Sequence, residues 1–168
     1  EFIIDLANNG YNIILRPHPQ SNISEPDYIN LCKDELSQFS NIEWDETTSP
    51  ITSMSKADIL ISDTSSIRFD YFFLYGKPIL TLEIDEPNMK GYEQEDLENK
   101  NKLFNDFFEL TVNLDEINLI SEKVKYLIDH KYENNYNTKI DKLGIPKIGS
   151  SSLKIIEFFK NQLDENKL

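Results

Sequence analysis

The stretch Ala57-Asp58-Ile59-Leu60-Ile61-Ser62-Asp63-Thr64-Ser65-Ser66 decides the fold, together with its continuation through Ile67-Arg68-Phe69-Asp70-Tyr71-Phe72-Phe73-Leu74-Tyr75 to Gly76-Lys77-Pro78-Ile79-Leu80-Thr81-Leu82. Ile59 to Ile61 is a short apolar run without polar alternation, the mark of a strand buried on both faces. A cluster of capping residues follows it, and an aromatic helix opens at Ile67. Gly76-Lys77-Pro78 ends that helix, and Ile79 to Leu82 is a second strand of the same buried kind. Strand, crossover helix, strand is the unit of a parallel sheet.

Outward from this unit the same alternation continues. A helical stripe at Ile3, Ile4, Leu6 and Ala7 stops at Asn9-Gly10, and Asn12 to Arg16 reads as a strand. Tyr28 to Phe39 reads as a surface helix, Ile42 to Trp44 as a strand, and Ser49-Pro50 as the start of a brief helix carrying Ile51 and Met54. Beyond Leu82, Glu86 to Asp106 is polar and acidic and reads as a loop. Phe108 to Val112 is a last strand, Leu119 to Ile128 an amphipathic helix, and Tyr132 to Lys142 an Asn-rich linker. Gly149-Ser150-Ser151-Ser152 caps a terminal helix whose Leu153, Ile156, Phe159 and Leu163 are spaced for burial. The fold class predicted is α/β, a doubly wound, Rossmann-like parallel sheet, with residues 1–168 as a single nucleotide-binding domain.

Composition narrows the function. Lys and Arg total 17 against 30 Asp and Glu, a net charge of −13, whose mean field repels nucleic acid and anionic lipid. The lone cysteine, Cys32, has no partner for a disulfide or a zinc cluster. No apolar stretch approaches the ~20 residues that cross a bilayer. The opening Glu1-Phe2-Ile3-Ile4-Asp5 has no basic leader of a secretion signal. Without an initial Met, the chain is expected to be a piece of a longer protein. No P-loop, GxGxxG or GxSxG occurs. The acids Asp85, Glu86, Glu93, Glu95 and Asp96 lack a metal-ligand spacing and read as a solvated face; no metal and no cofactor are expected.

Ligands of such sheets bind at the carboxyl ends of the strands, where two stretches stand out. In Arg16-Pro17-His18-Pro19 each proline presses the residue before it into extended backbone, so His18 is held stiffly at the binding edge. There the imidazole serves either as acid, base or phosphate donor, or simply as a turn residue between prolines. In Ser62-Asp63-Thr64-Ser65-Ser66, helix-start amides and small hydroxyls suit an anion, while Asp63 or Thr64 as an ordinary cap would use up the same amides. Asp70, among aromatics, fits a ribose hydroxyl pair or an ion pair with Arg68 or Lys77. Arg68 and Arg16 are candidates for phosphate charge, with a solvated surface cation as the plain alternative. His130 reads as a partner of a helix C-terminus.

Arg16-Pro17-His18-Pro19, Ala57 to Asp70 and Gly76-Lys77-Pro78-Ile79, in that order, resemble the C-terminal domain of the CDP-glycerol glycerophosphotransferase family. The first matches that family's basic-x-His-Pro signature and the second its Ser/Thr-Asp-x-Ser-Ser-x-x-x-Asp signature. The resemblance runs from Arg16 to Leu82, with a fainter echo from Gly149 to Ile156. The family's Gly-Pro is missing around Asn105 to Glu109, and its Asp-x-x-Tyr-x-x-x-Arg-Gly stretch is degraded after Asp85. The same layout resembles the nucleotide-sugar 2-epimerases. What the resemblance implies is one half of a GT-B fold of two facing domains, the first strand and the partner domain lying ahead of Glu1. It implies transfer of glycerol phosphate, or a related alditol phosphate, from a CDP-activated donor to a polymer or lipid-linked acceptor at the inner face of the cell membrane. His18 would be catalytic and contact the diphosphate. The Thr64-Ser65-Ser66 helix end would bind the donor's phosphates, Arg16 and Asp63 would belong to the same substrate-binding set, and Asp70 would lie near the ribose. A capsule or lipopolysaccharide glycosyltransferase, an epimerase and a non-catalytic nucleotide-binding domain are the alternatives.

Overall fold

The computed structural model describes residues 1–63, 65–83, 110–129, 140–141 and 149–165. Thr64, His130, the acidic stretch 85–106, the region 105–109 and the linker 132–142 apart from residues 140–141 lie outside them. The chain forms two compact units, Glu1–Tyr132 and Glu133–Leu168.

The first unit is α/β, of the doubly wound, Rossmann-like kind. Helix α1 (Phe2–Asn8) leads to strand β1 (Ile13–Leu15), and helices α2 (Ser21–Ser24) and α3 (Pro26–Leu36) lead to β2 (Ile42–Trp44). Helix α4 (Ile51–Lys56) precedes β3 (Leu60–Ser62), and α5 (Ile67–Tyr75) joins β3 to β4 (Ile79–Glu83). Strand β5 (Leu110–Asn113), a 3₁₀ segment (Leu114–Leu119) and α6 (Ile120–Asp129) follow. All pairings among the described residues are parallel: β1 with β2, and β4 between β3 and β5.

Two glycines end helices as their neighbours foretell. Gly10 takes φ +83° after α1, and Gly76 takes φ +58° after α5, where its amide donates to the Phe72 carbonyl at 2.8 Å. Left-handed backbone is cheap only without a Cβ, so these positions turn the chain at little cost. Pro50 stands one residue ahead of α4, not inside its first turn, and the Ser49 hydroxyl accepts the Ile51 amide at 3.4 Å. Strand β3 starts later than Ala57, because the Ala57 carbonyl is taken by the Tyr71 hydroxyl at 2.8 Å and the Lys77 ammonium at 2.6 Å.

The core gathers Leu6 of α1, Leu80 of β4, Val112 of β5 and Ile120, Val124 and Leu127 of α6, with Ile13, Ile61 and Leu82 packed against it. Burial of these apolar side chains is the main stabilising term. The Asn41 amide group bridges the Ala7 and Tyr11 carbonyls at 2.9 and 2.8 Å, satisfying the turn after α1.

In the second unit, helix α7 (Ser151–Glu165) forms at the expected place, with the Lys154 amide donating to the Ser150 carbonyl. Its Leu153 and Ile156, expected to be buried, are 64% and 50% exposed. A helix buries a stripe only against another element, and spacing alone does not supply one. Phe159 and Leu163 lie outside the described side chains.

Candidate functional site

Strands β1 and β2 run side by side with Leu15 opposite Trp44, and the Asp45 amide continues the ladder to the Leu15 carbonyl at 2.8 Å. Arg16 and Asp45 therefore leave the sheet together at its carboxyl edge. The Arg16 Nη1 donates to Asp45 Oδ2 at 2.7 Å, and its Nη2 to the Thr48 carbonyl at 3.1 Å. Asp45 is only 8% exposed. It also accepts from the Thr47 amide at 2.9 Å, the Thr47 hydroxyl at 2.6 Å and the Ser53 hydroxyl. Arg16 is thus no solvated cation, and its nearest charge belongs to the chain itself.

The Ser53 hydroxyl above all, then the Thr47 hydroxyl and amide, then Arg16, hold the Asp45 carboxyl well below the usual carboxylate range. A folded-state value below the unfolded one means that the native protein binds fewer protons. The resulting stability is present above the unfolded value of about 3.9 and is lost as pH falls from there through the folded value. Urea unfolding should accordingly show wild type and Asp45→Asn furthest apart near neutrality, converging below about pH 4. A gap that widened in acid would contradict this assignment.

His18 is exposed, two residues beyond Arg16. Its Nδ1 accepts the Gln20 amide at 3.2 Å, and its carbonyl accepts the Ser21 amide at 2.8 Å. A nitrogen that accepts carries no proton, so the neutral ring bears its proton on Nε2, a tautomer assigned from the heavy-atom geometry. That Nε2–H is a donor suited to a phosphate oxygen.

At the end of β3, Asp63 Oδ1 accepts the Ser65 amide at 2.9 Å, and the Ser65 hydroxyl accepts the Ile67 amide at 3.4 Å. Asp63 therefore caps the turn, and two of the amides an anion would meet already have acceptors within the chain. Thr64 lies outside the described residues. Ser66 and Asp70 are both exposed and, four residues apart, share one side of α5. Lys77 does not serve as a simple surface charge, since it donates to the Ser55 and Ala57 carbonyls at 3.3 and 2.6 Å.

Arg68 departs from the solvated cation the sequence favours, being only 2% exposed. Its Nε donates to the Ser65 carbonyl at 3.1 Å and its Nη1 to the Thr81 hydroxyl at 3.0 Å. Thr81 faces Ser62 in the β3–β4 register, so the guanidinium lies under the turn that begins α5. Burial lowers its pKa, and the nearby Asp63 carboxylate acts in the opposite sense; an arginine keeps its charge regardless. Periodicity carries the signal that finds it: Arg68 shares a helical face with Tyr71 and Phe72, both buried.

The candidates thus form two groups, Arg16 with the 45–48 loop and Asp63 with Ser65 and Arg68. Among the described residues no hydrogen bond joins His18 to either Asp63, Ser65, Ser66 or Asp70. Helix α4 starts beside the carboxyl end of β2, where Ser53 meets Asp45, and hands over to β3 at Ala57, where Leu60 and Pro78 mark the starting edge of β3 and β4. Among the described residues β1–β2 and β3–β4–β5 hydrogen-bond as two separate sheets, and the carboxyl end of each is where parallel sheets bind ligands.

Neither a curated protein nor a solved structure matches the chain. A family model does, over residues 1–139, and that span takes in His18, the β3–α5 turn and Asp70. The chain belongs to the CDP-glycerol:poly(glycerophosphate) glycerophosphotransferase family, a family of transferases.

Proposed function

We propose that this chain holds the activated donor of a transferase that moves glycerol phosphate, or a related alditol phosphate, from a CDP-linked donor to a cell-surface polymer. A facing α/β domain would carry the acceptor, at the inner side of the cell membrane. The observation that carries the reading is the state of His18: a ring clamped between prolines, its Nδ1 occupied and its Nε2–H directed away from its own backbone bond, in a chain of this family.

The chemistry follows from those groups. An acceptor hydroxyl attacks the β-phosphorus of the donor; an O–P bond forms as the bond to the bridging oxygen breaks, and CMP leaves with the displaced charge. The hydroxyl proton passes to solvent. Phosphoryl transfer asks the protein mainly for positioning and for charge stabilisation. The His18 Nε2–H supplies a hydrogen bond where negative charge builds up. The Ser65–Ser66 turn brings its hydroxyls to the phosphates, with the Arg68 charge beneath it, and Asp70 accepts from the ribose hydroxyls.

Isothermal titration of the chain with CDP-glycerol, UDP-sugars and CMP-sugars tests the donor. Heat of binding is expected with CDP-glycerol. Binding of UDP-sugars with none of the cytidine nucleotides would replace this reading by a glycosyltransferase.

A further inference from the structure

We infer that Asp45 is a positioning residue for the transfer site: its buried carboxylate fixes the Arg16 guanidinium and, through Arg16, the direction in which the His18 ring leaves β1. The inference rests on the reading of His18 as the group that meets the donor's diphosphate.

Three segments meet at this one carboxylate. Its Oδ2 receives Arg16 Nη1 at 2.7 Å and the Ser53 hydroxyl of α4, and its Oδ1 receives the Thr47 amide and hydroxyl at 2.9 and 2.6 Å. The other end of the Arg16 fork is held by the Thr48 carbonyl at 3.1 Å, so the guanidinium plane is fixed at two points. A planar fork bound at two points has little rotational freedom left, unlike a lysine ammonium.

The proline spacing carries this fixity forward. Pro17 and Pro19 have locked φ angles, and each confines its predecessor, Arg16 and His18, to extended backbone. Between the Arg16 Cα and the His18 ring the chain is a stiff rod with few soft torsions. An error in the setting of Arg16 reaches His18 almost undiminished, and with it the bond from the Gln20 amide to Nδ1 that fixes the tautomer. An Asp at position 45 thus supports catalysis without touching the donor. Its side chain is one half of a charge pair whose other half would otherwise be free to swing toward the same phosphates.

The test uses the imidazole signals of His18 in two-dimensional ¹H–¹⁵N spectra of the chain, for wild type, Asp45→Asn, Arg16→Ala and the double variant, with thermal melts to verify folding. The expected result is a shift of the ring away from the pure Nε2–H form in each single variant, and no further shift in the double, because both act along one route. Single-turnover release of CMP by the transferase that contains this chain should fall in parallel, by up to about 100-fold for a displacement near 1 Å. Unchanged His18 signals in a folded Asp45→Asn protein overturn the inference, as do shifts that add in the double variant. Should Asp45→Asn not fold, Arg16→Lys, which keeps the charge but lacks the fork, takes its place under the same criteria. Wild type that fails to bind CDP-glycerol overturns the donor reading instead, and the ring signals report on Asp45 regardless.

Discussion

Replacing His18 by alanine is expected to lower transfer from CDP-glycerol by about 100-fold to 1000-fold, the usual loss when one aligned donor to developing negative charge is removed. The ring is exposed and its recorded bond is to a neighbouring amide, so little packing is lost and the melting temperature should hardly move. The measurement is single-turnover release of CMP by the transferase that contains this chain, with melts alongside. Because the proposed bond strengthens as charge builds up on phosphate, the loss should fall mainly on the chemical step and less on donor affinity. A His18→Ala protein with full turnover would make this a nucleotide-binding domain without a catalytic part.

The largest effect on stability is expected at Leu80. It sits in β4, the strand flanked on both sides, and its side chain is fully enclosed by Leu6, Val112, Ile120, Val124 and Leu127. Leu80→Ala removes apolar contact and leaves a cavity that five neighbours from three elements cannot close together, costing about 3–5 kcal/mol. Set against a total of about 5–15 kcal/mol for an ordinary domain, that is enough to leave the first unit marginal. Urea denaturation of the variant, compared at equal m-value, gives the number directly. A change below about 1 kcal/mol would mean that the position lies outside the tight core.

Much of this arrangement is legible in the residues themselves, because its signals are local. Helix α5 spans Ile67–Tyr75, as capping residues before Ile67 and Gly76 after Tyr75 foretell, and β2 spans Ile42–Trp44, the bounds read from the sequence. Where the reading falls short, the deciding partner is remote. Asp45 between Trp44 and Glu46 looks like a solvated turn acid; its ion pair with Arg16 spans 29 positions, and nothing nearby advertises it. Arg68 was open to discovery through its helical phase with Tyr71 and Phe72, but charge outweighs phase in any reading based on residue type. For the terminal helix the reverse holds, since Leu153 and Ile156 keep phase yet stay exposed. The roles proposed for His18, Ser65 and Ser66 rest on their position just past strand ends and on the family match, and that of Asp70, within α5, on the family match alone, with Asp63 acting within the chain as a cap.

The setting of Arg68 bears on how the molecule meets ions. Charges on the outside of this acidic chain act through electrolyte, and at cellular ionic strength their influence fades within about 8 Å. A guanidinium 2% exposed, with the Asp63 carboxylate nearby, is dimmed less by salt than the surface charges are. As electrolyte rises, the repulsion that 30 acidic against 17 basic residues exert on an approaching anion is muted, while the attraction from below the α5 turn persists. Salt thus acts on the two opposing fields unequally and shifts their balance toward the buried cation.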